Sequence, residues 1–313
     1  MNFRPLQRSC VFQWLILSWG ILATVPVAAN AEEFDVIYLG GQSNMEGFGY
    51  VKELPAELGQ EIPGCYIFHA HASLDQQPIG GKGQWSPLKP GHGVGFTSDG
   101  TTNNYSDRFG VELSVAAELR RLRPDRKIAI IKYARNGSSI HQGAAGSWGC
   151  WEPDFLAQAG EHRQVNQYDH FLATIQNATT NVDIDQDGTV DTLNPIGILW
   201  MQGESDAMYS VDIAQQYDAN LKRLMDLMRA SLREDDLPVV IGRISDSGIK
   251  DNKKIWTHGE IVRGGQASFV ENDPAARLVT TTDTYGYSDP YHYDSAGYID
   301  LGRQFAKNLN ELN

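Results

Sequence analysis

Cysteine is scarce in this chain, with three in 313 residues, and one of those, Cys10, lies in the first segment. So few cysteines rule out a small scaffold stapled by disulfides, and no paired-cysteine zinc pattern is present. Cys65 and Cys150 are left, and they fit either one bridge or two separate buried thiols. Positive charge is the minority sign, 26 Lys and Arg against 39 Asp and Glu, for a net charge of −13. Nucleic acid is a poor partner for such a surface, because phosphate binding needs a basic face. A polyanion is likewise disfavoured unless a local basic pocket overrides the global field. Internal repeats, low-complexity blocks, a P-loop and a dinucleotide fingerprint are all missing. Long hydrophobic runs are missing too, except for one between Val11 and Val27.

That run follows Arg4 and Arg8 and precedes Ala29-Asn30-Ala31, the order of a basic start, an apolar stretch and a small-residue cleavage site. We read residues 1–31 as a signal peptide cleaved after Ala31, with an uncleaved membrane anchor as the alternative. An exported protein with no membrane contact after cleavage follows, with residues 32–313 as one domain.

Apolar, β-branched runs at 34–39, 127–133, 196–201, 238–244 and 276–282 read as strands buried on both faces. Helical spacing of apolar residues marks 109–122, 168–178, 213–232 and 295–312. The alternation predicts a three-layer α/β/α sheet of about five parallel strands. Two long connections, 78–106 and 137–167, carry Trp85, Trp148 and Trp151. Loops of this length in a compact domain are commonly functional, and the indoles read either as platforms for sugar faces or as plugs over helix ends.

Reacting groups gather at the carboxyl ends of parallel strands. The first strand runs into Gly40-Gly41-Gln42-Ser43-Asn44-Met45, where the glycines permit a tight strand-to-helix turn that exposes a serine hydroxyl beside its own N–H. Near the other end, Asp289-Pro290-Tyr291-His292 precedes the last helix. A carboxylate three residues before a histidine is placed to hold one ring nitrogen while the other faces a serine. After the third strand comes Trp200-Met201-Gln202-Gly203-Glu204-Ser205-Asp206. There the Gln202 amide offers an uncharged oxyanion donor, and Glu204 competes with Asp289 as the partner of His292. Asn136-Gly137-Ser138-Ser139-Ile140 follows the second strand and offers the Gly137 N–H.

Taken in order, these four blocks resemble the SGNH hydrolase superfamily, and more narrowly its sialate O-acetylesterase and acetyl xylan esterase branch, carbohydrate esterase family six. The likeness runs from residue 34 to the end. It implies a flavodoxin-like α/β/α fold and hydrolysis of acetyl esters on carbohydrate without a catalytic metal. It further implies Ser43 as nucleophile, His292 as base, Asp289 as its orienting acid, and Ser43 N–H, Gly137 N–H and Gln202 as oxyanion donors. The chain departs from the broader pattern at Gln42, where Asp is usual, and at Gln202, where Asn is usual. Asn136 stands where this branch frequently has glycine. A glycan-binding module on the same fold, or an esterase or thioesterase for another acyl group, are the alternatives.

One further motif stands apart. Asp183, Asp185 and Asp187, followed by Gly188, Thr189 and Asp191, have the spacing of a calcium loop. Position twelve is Asn194 where a bidentate Glu is usual, and a strand follows where a second helix would. The expectation is a structural Ca²⁺ distant from catalysis, against a solvated acidic turn.

Overall fold

β1 (Glu33–Gly41) is buried along nearly its whole length, which only a central strand covered on both faces allows. The computed structural model describes residues 1, 31–75, 77–156, 165–180, 182–248 and 253–313. Nearly all of the expected leader, 1–31, lies outside the described residues. Around β1 the chain builds β2 (Cys65–His69), β3 (Trp85–Pro87), β4 (Lys127–Ala134), β5 (Thr192–Met201), β6 (Val239–Gly242) and β7 (Ala276–Val279). They form one seven-stranded sheet in the order β7-β6-β5-β1-β4-β2-β3, parallel except for β3.

The expected α/β/α architecture is therefore present, and the expected five strands become seven. β2 and β3 extend the sheet past β4, and both are too short to leave a readable pattern. Helices α2 (Glu112–Leu122) and α8 (Ser295–Leu312) pack on one face. On the other lie α3 (Gln167–Thr180), α6 (Tyr217–Leu232) and α7 (Gly259–Asn272), with the short helices α4 (Asp206–Tyr209) and α5 (Val211–Gln215) between α3 and α6 in the chain. The Met and Leu stripe of α6, including Leu221, Leu224, Met225 and Met228, is core.

The strands on one side of β1 (β2, β3 and β4) all precede in the chain those on its other side (β5, β6 and β7), so the strand order switches sides at β1. Such a switch point leaves a crevice at the carboxyl ends of the strands. Register fixes what meets there: Gly41 of β1 stands opposite Ala134 of β4 and Met201 of β5. Residues just beyond all three strands, Ser43, Gly137 and Gln202, thus converge. Gly41 has φ +142°, and a Cβ there would lie 2.0 Å from Met201 O, so this junction closes only with glycine.

Candidate active site

Ser43 opens a single helical turn, α1 (Ser43–Glu46), directly after β1. The turn is set by Gln42, whose N–H donates to Met201 O at 2.9 Å and whose carbonyl accepts from Met45 and Glu46 N–H, both at 2.8 Å. The Gln42 side-chain oxygen accepts from Gly203 N–H and Ser205 N–H at 3.3 Å and from Gln202 Nε2 at 3.2 Å. A neutral carbonyl suits this role, since it gathers three donors with no buried charge to neutralise.

His292 comes from the segment before α8. Its Nδ1 lies 2.7 Å from Asp289 Oδ2, while Asp289 Oδ1 accepts from Tyr291 N–H at 2.8 Å and His292 N–H at 2.9 Å. Phe48 stacks on the imidazole at 3.6 Å, with the rings 4° from parallel. The serine and histidine segments are tied by Asn44. Its Nδ2 donates to Tyr291 O at 3.2 Å, and its Oδ1 accepts from Tyr293 N–H at 3.3 Å and Tyr298 O–H at 2.8 Å. The residues flanking Ser43 and His292 are therefore bonded across almost 250 positions of sequence. Ser43 Oγ and His292 Nε2 each make no hydrogen bond among the described residues, and the Ser43 and Gly137 N–H groups have no protein acceptor among them.

Burial lowers the His292 pKa below its ordinary value, and the Asp289 bond only partly opposes this. Burial alone would raise the Asp289 carboxyl, but the hydrogen bonds from His292 and Tyr291 outweigh it and hold it low. Asp289 is thus the ionised partner of the imidazole. Glu204 is not: its Oε1 accepts from Asn44 Nδ2 at 2.8 Å, its Oε2 is buried without a partner among the described residues, and burial pushes its pKa up to about 7.

The side chain of Gln202 corrects an expectation. It is fully buried, and Nε2 donates to Asp206 Oδ2 at 2.7 Å with Gln42 Oε1 and Ser138 O both at 3.2 Å. A carboxylate four residues on holds the amide, so it is not presented to an oxyanion. Asp206 also accepts from Ile140 and His141 N–H, both at 2.9 Å, which pins the loop after β4 to the loop after β5. Glu46 works similarly from α1, its Oε2 accepting Asn136 N–H at 2.6 Å. Gly137 has φ +73°, and a Cβ there would sit 2.4 Å from the Trp148 ring. Gln42, Asn44, Glu46 and Asp206 are the residues that motif reading left without a role. Their signal is adjacency to the reacting blocks, but their partners are not visible in sequence.

The tryptophans divide. Trp85 is 6% exposed and donates Nε1–H to Ala178 O at 3.0 Å. Trp151 is wholly buried, donates to Ser138 Oγ at 2.9 Å and packs on Trp200 at 5.0 Å. Neither is a sugar platform, because each indole satisfies its N–H inside the protein. Trp148 is half-buried beside Gly137. Exposed aromatics also occur at Tyr209 and Tyr291, on the segments that follow Glu204 and precede His292. Cys65 and Cys150 are buried free thiols, both pushed up to about 12 by burial.

At the opposite edge of the sheet, before β5, ligand oxygens of Asp183, Asp185 and Asp187 lie within 4.8 Å of one another. Asp191 does not join them, which corrects its place in the expected ligand set. Its oxygens accept from Ile184 N–H at 2.7 Å and Glu32 N–H at 3.2 Å. Thr189 donates its N–H to Asp187 Oδ1 at 2.7 Å.

A serine on a strand-to-helix turn and an Asp-His pair before the last helix, set on a parallel α/β/α sheet, define the SGNH class of hydrolases. Residues 33–311 match the family model described as SASA, carbohydrate esterase, sialic acid-specific acetylesterase, and the chain belongs to that family of carboxylic ester hydrolases. Three solved structures share the fold at 18% identity. A protein from Arabidopsis thaliana is matched over 90% of this chain and 99% of its own, with a TM-score of 0.58. A carbohydrate acetylesterase from Xanthomonas citri is matched over 89% of this chain and 56% of its own, at 0.61, so this chain spans little more than half of that protein. NanS is matched over 90% and 98%, at 0.57. No match was found among curated protein sequences.

Proposed function

We propose that this protein hydrolyses O-acetyl esters on carbohydrate through an acetyl-Ser43 intermediate. The observation that carries the reading is the Asp289–His292 pair, held by the Asn44 bonds to Tyr291 and Tyr293 beside the turn that bears Ser43, at a crevice where the Ser43 and Gly137 N–H groups have no acceptor among the described residues. With Nδ1–H given to Asp289, Nε2 keeps the lone pair and takes the proton from Ser43 Oγ. The oxygen attacks the acetyl carbonyl, and the oxyanion is received by Ser43 and Gly137 N–H. His292 returns the proton to the departing sugar hydroxyl, and water, deprotonated by the same imidazole, releases acetate from the serine. Asp206 and Glu46 act earlier, by fixing the loop on which Gly137 sits. The acetylesterase named among the structural relatives and the family description both support an acetylated sugar as substrate.

Acetate release from a chromogenic acetyl ester and from acetylated polysaccharides and sialosides tests this directly. Ser43→Ala is expected to lower turnover by roughly 10⁴-fold or more with an unchanged melting temperature. A folded Ser43→Ala protein of full activity ends the mechanism, and a wild-type protein that binds glycan but releases no acetate makes the chain a binding module.

A further inference from the structure

We propose that Phe48 is a positioning residue for proton transfer: its ring, stacked on His292, fixes the plane of the imidazole and so the direction in which Nε2 meets the Ser43 hydroxyl. The inference rests on the esterase reading and adds to it a residue outside the four motif blocks.

The stack is close and flat, with ring centroids 3.6 Å apart and planes within 4° of parallel. Left to themselves, aromatic rings favour offset or edge-on pairs with wider spacing. Overlap this complete is therefore imposed by the chain that carries the two rings. It also has a use. The Asp289 bond at 2.7 Å holds Nδ1, but one contact in the plane of the ring leaves the imidazole free to tilt about it. A flat ring against one face removes that freedom, because any tilt drives ring atoms into van der Waals overlap.

The backbone on both sides of Phe48 is held. Gly47 N–H closes α1 on Ser43 O at 2.9 Å, and Gly47 O accepts from Val94 N–H at 2.8 Å. Gly47 has φ +102°, and a Cβ there would lie 2.4 Å from Gly110 Cα, so only glycine lets the chain leave α1 this close to the segment before α2. Phe48 O accepts from Arg108 Nη1 at 2.9 Å. Residues 49–50 then pair antiparallel with 108–109, and Tyr50 N–H donates to Ser295 Oγ at the start of α8, at 3.0 Å. One short piece of chain thus carries Ser43 at its beginning and the ring that lies on His292 at its end. The stack also keeps water from one face of the base, which is 8% exposed. Burial, to which Phe48 contributes, lowers the His292 pKa most; Asp289 opposes it, and the Arg108 charge adds a smaller lowering.

Steady-state kinetics of Phe48→Ala, Phe48→Leu and Phe48→Tyr on one chromogenic acetyl ester, each across a range of pH, test this. Ala and Leu remove the flat face and are expected to lower kcat by about 10- to 100-fold, while KM changes by less than about 3-fold. Phe48→Ala also admits water, so the acidic limb of kcat/KM should move to higher pH, because an imidazole relieved of burial holds its proton more tightly. Phe48→Tyr keeps a flat ring and should restore both kcat and the limb. Melting temperatures establish that each variant is folded, and Phe48→Leu, which keeps apolar volume, carries the kcat test should Phe48→Ala fail to fold. A folded Phe48→Leu or Phe48→Ala protein with wild-type kcat overturns the proposal. So does a kcat loss that leaves the limb of Phe48→Ala in place and is not restored by Phe48→Tyr, which is what a purely structural tie would give. A wild type that releases no acetate from any ester overturns the esterase reading itself.

Discussion

Two carboxyl groups compete on paper for the imidazole, and their surroundings separate them. Asp289 is partly open to solvent, accepts two backbone N–H groups and meets Nδ1 at 2.7 Å. It is built to stay charged. Glu204 is sealed in the protein, bonded to the Asn44 amide and pushed toward neutrality. Asp289→Asn keeps the shape but removes the charge that stabilises the imidazolium, and it permits the wrong tautomer. Turnover is expected to fall by about 10⁴-fold. Glu204→Gln keeps an oxygen for Asn44 to donate to, so its cost is expected to stay within about 10-fold. Steady-state kinetics of both variants on one acetyl ester decide the matter, and the reverse order would make Glu204 the supporting acid.

At the scale of elements, what could be read from sequence was long and regular. The apolar runs read at β1, β4, β5, β6 and β7 each span six or seven residues of sequence and alternate with helical spacing. β2 is five residues between a Pro63-Gly64 turn and a loop, and β3 is three residues ending in proline. β2 pairs with the edge of β4 and β3 with the edge of β2, and that pairing is tertiary information. α7 was missed for another reason. Gly259, Gly264 and Gly265 lower its intrinsic helicity, yet a Cβ at Gly265 would come within 3.2 Å of α6, so close packing against that helix compensates for poor propensity. The site blocks were legible because the residues proposed as nucleophile, base and acid sit in contiguous motifs. Between the two readings of the indoles, and for the amide of Gln202, residue type could not decide, because burial and a partner's position leave no trace in it. The acidic loop before β5 is the element whose chemistry stays to be measured. If Asp183, Asp185 and Asp187 bind calcium, millimolar calcium should raise the melting temperature and chelator should lower it. Identical melting curves would leave a solvated turn.

Over the whole molecule, the carboxyl edge of the sheet concentrates buried acid: Glu46, Glu204 and Asp206 all have pKa values raised by burial. Asn44, Asn136 and Gln202, which join the segments around Ser43, Gly137 and His292, hang on these three groups. The cost of this arrangement is a dependence of stability on pH. Glu204 keeps its proton to about 7 in the folded protein, against an ordinary value of 4.5. Between those values the native state binds more protons than the unfolded chain, so stability falls as pH rises and the loss is complete above the folded value. For Glu204 alone the loss is on the order of 3 kcal/mol. Glu204→Gln has no proton to give up there, while Glu46 and Asp206 titrate in both proteins and cancel in the comparison. The variant should therefore gain on the wild type as pH rises, with the stability difference between them growing by that amount from about pH 4.5 to about pH 7. Denaturant unfolding of both proteins at several pH values in this window measures it, and parallel stability curves would show that Glu204 is ionised in the fold at little cost.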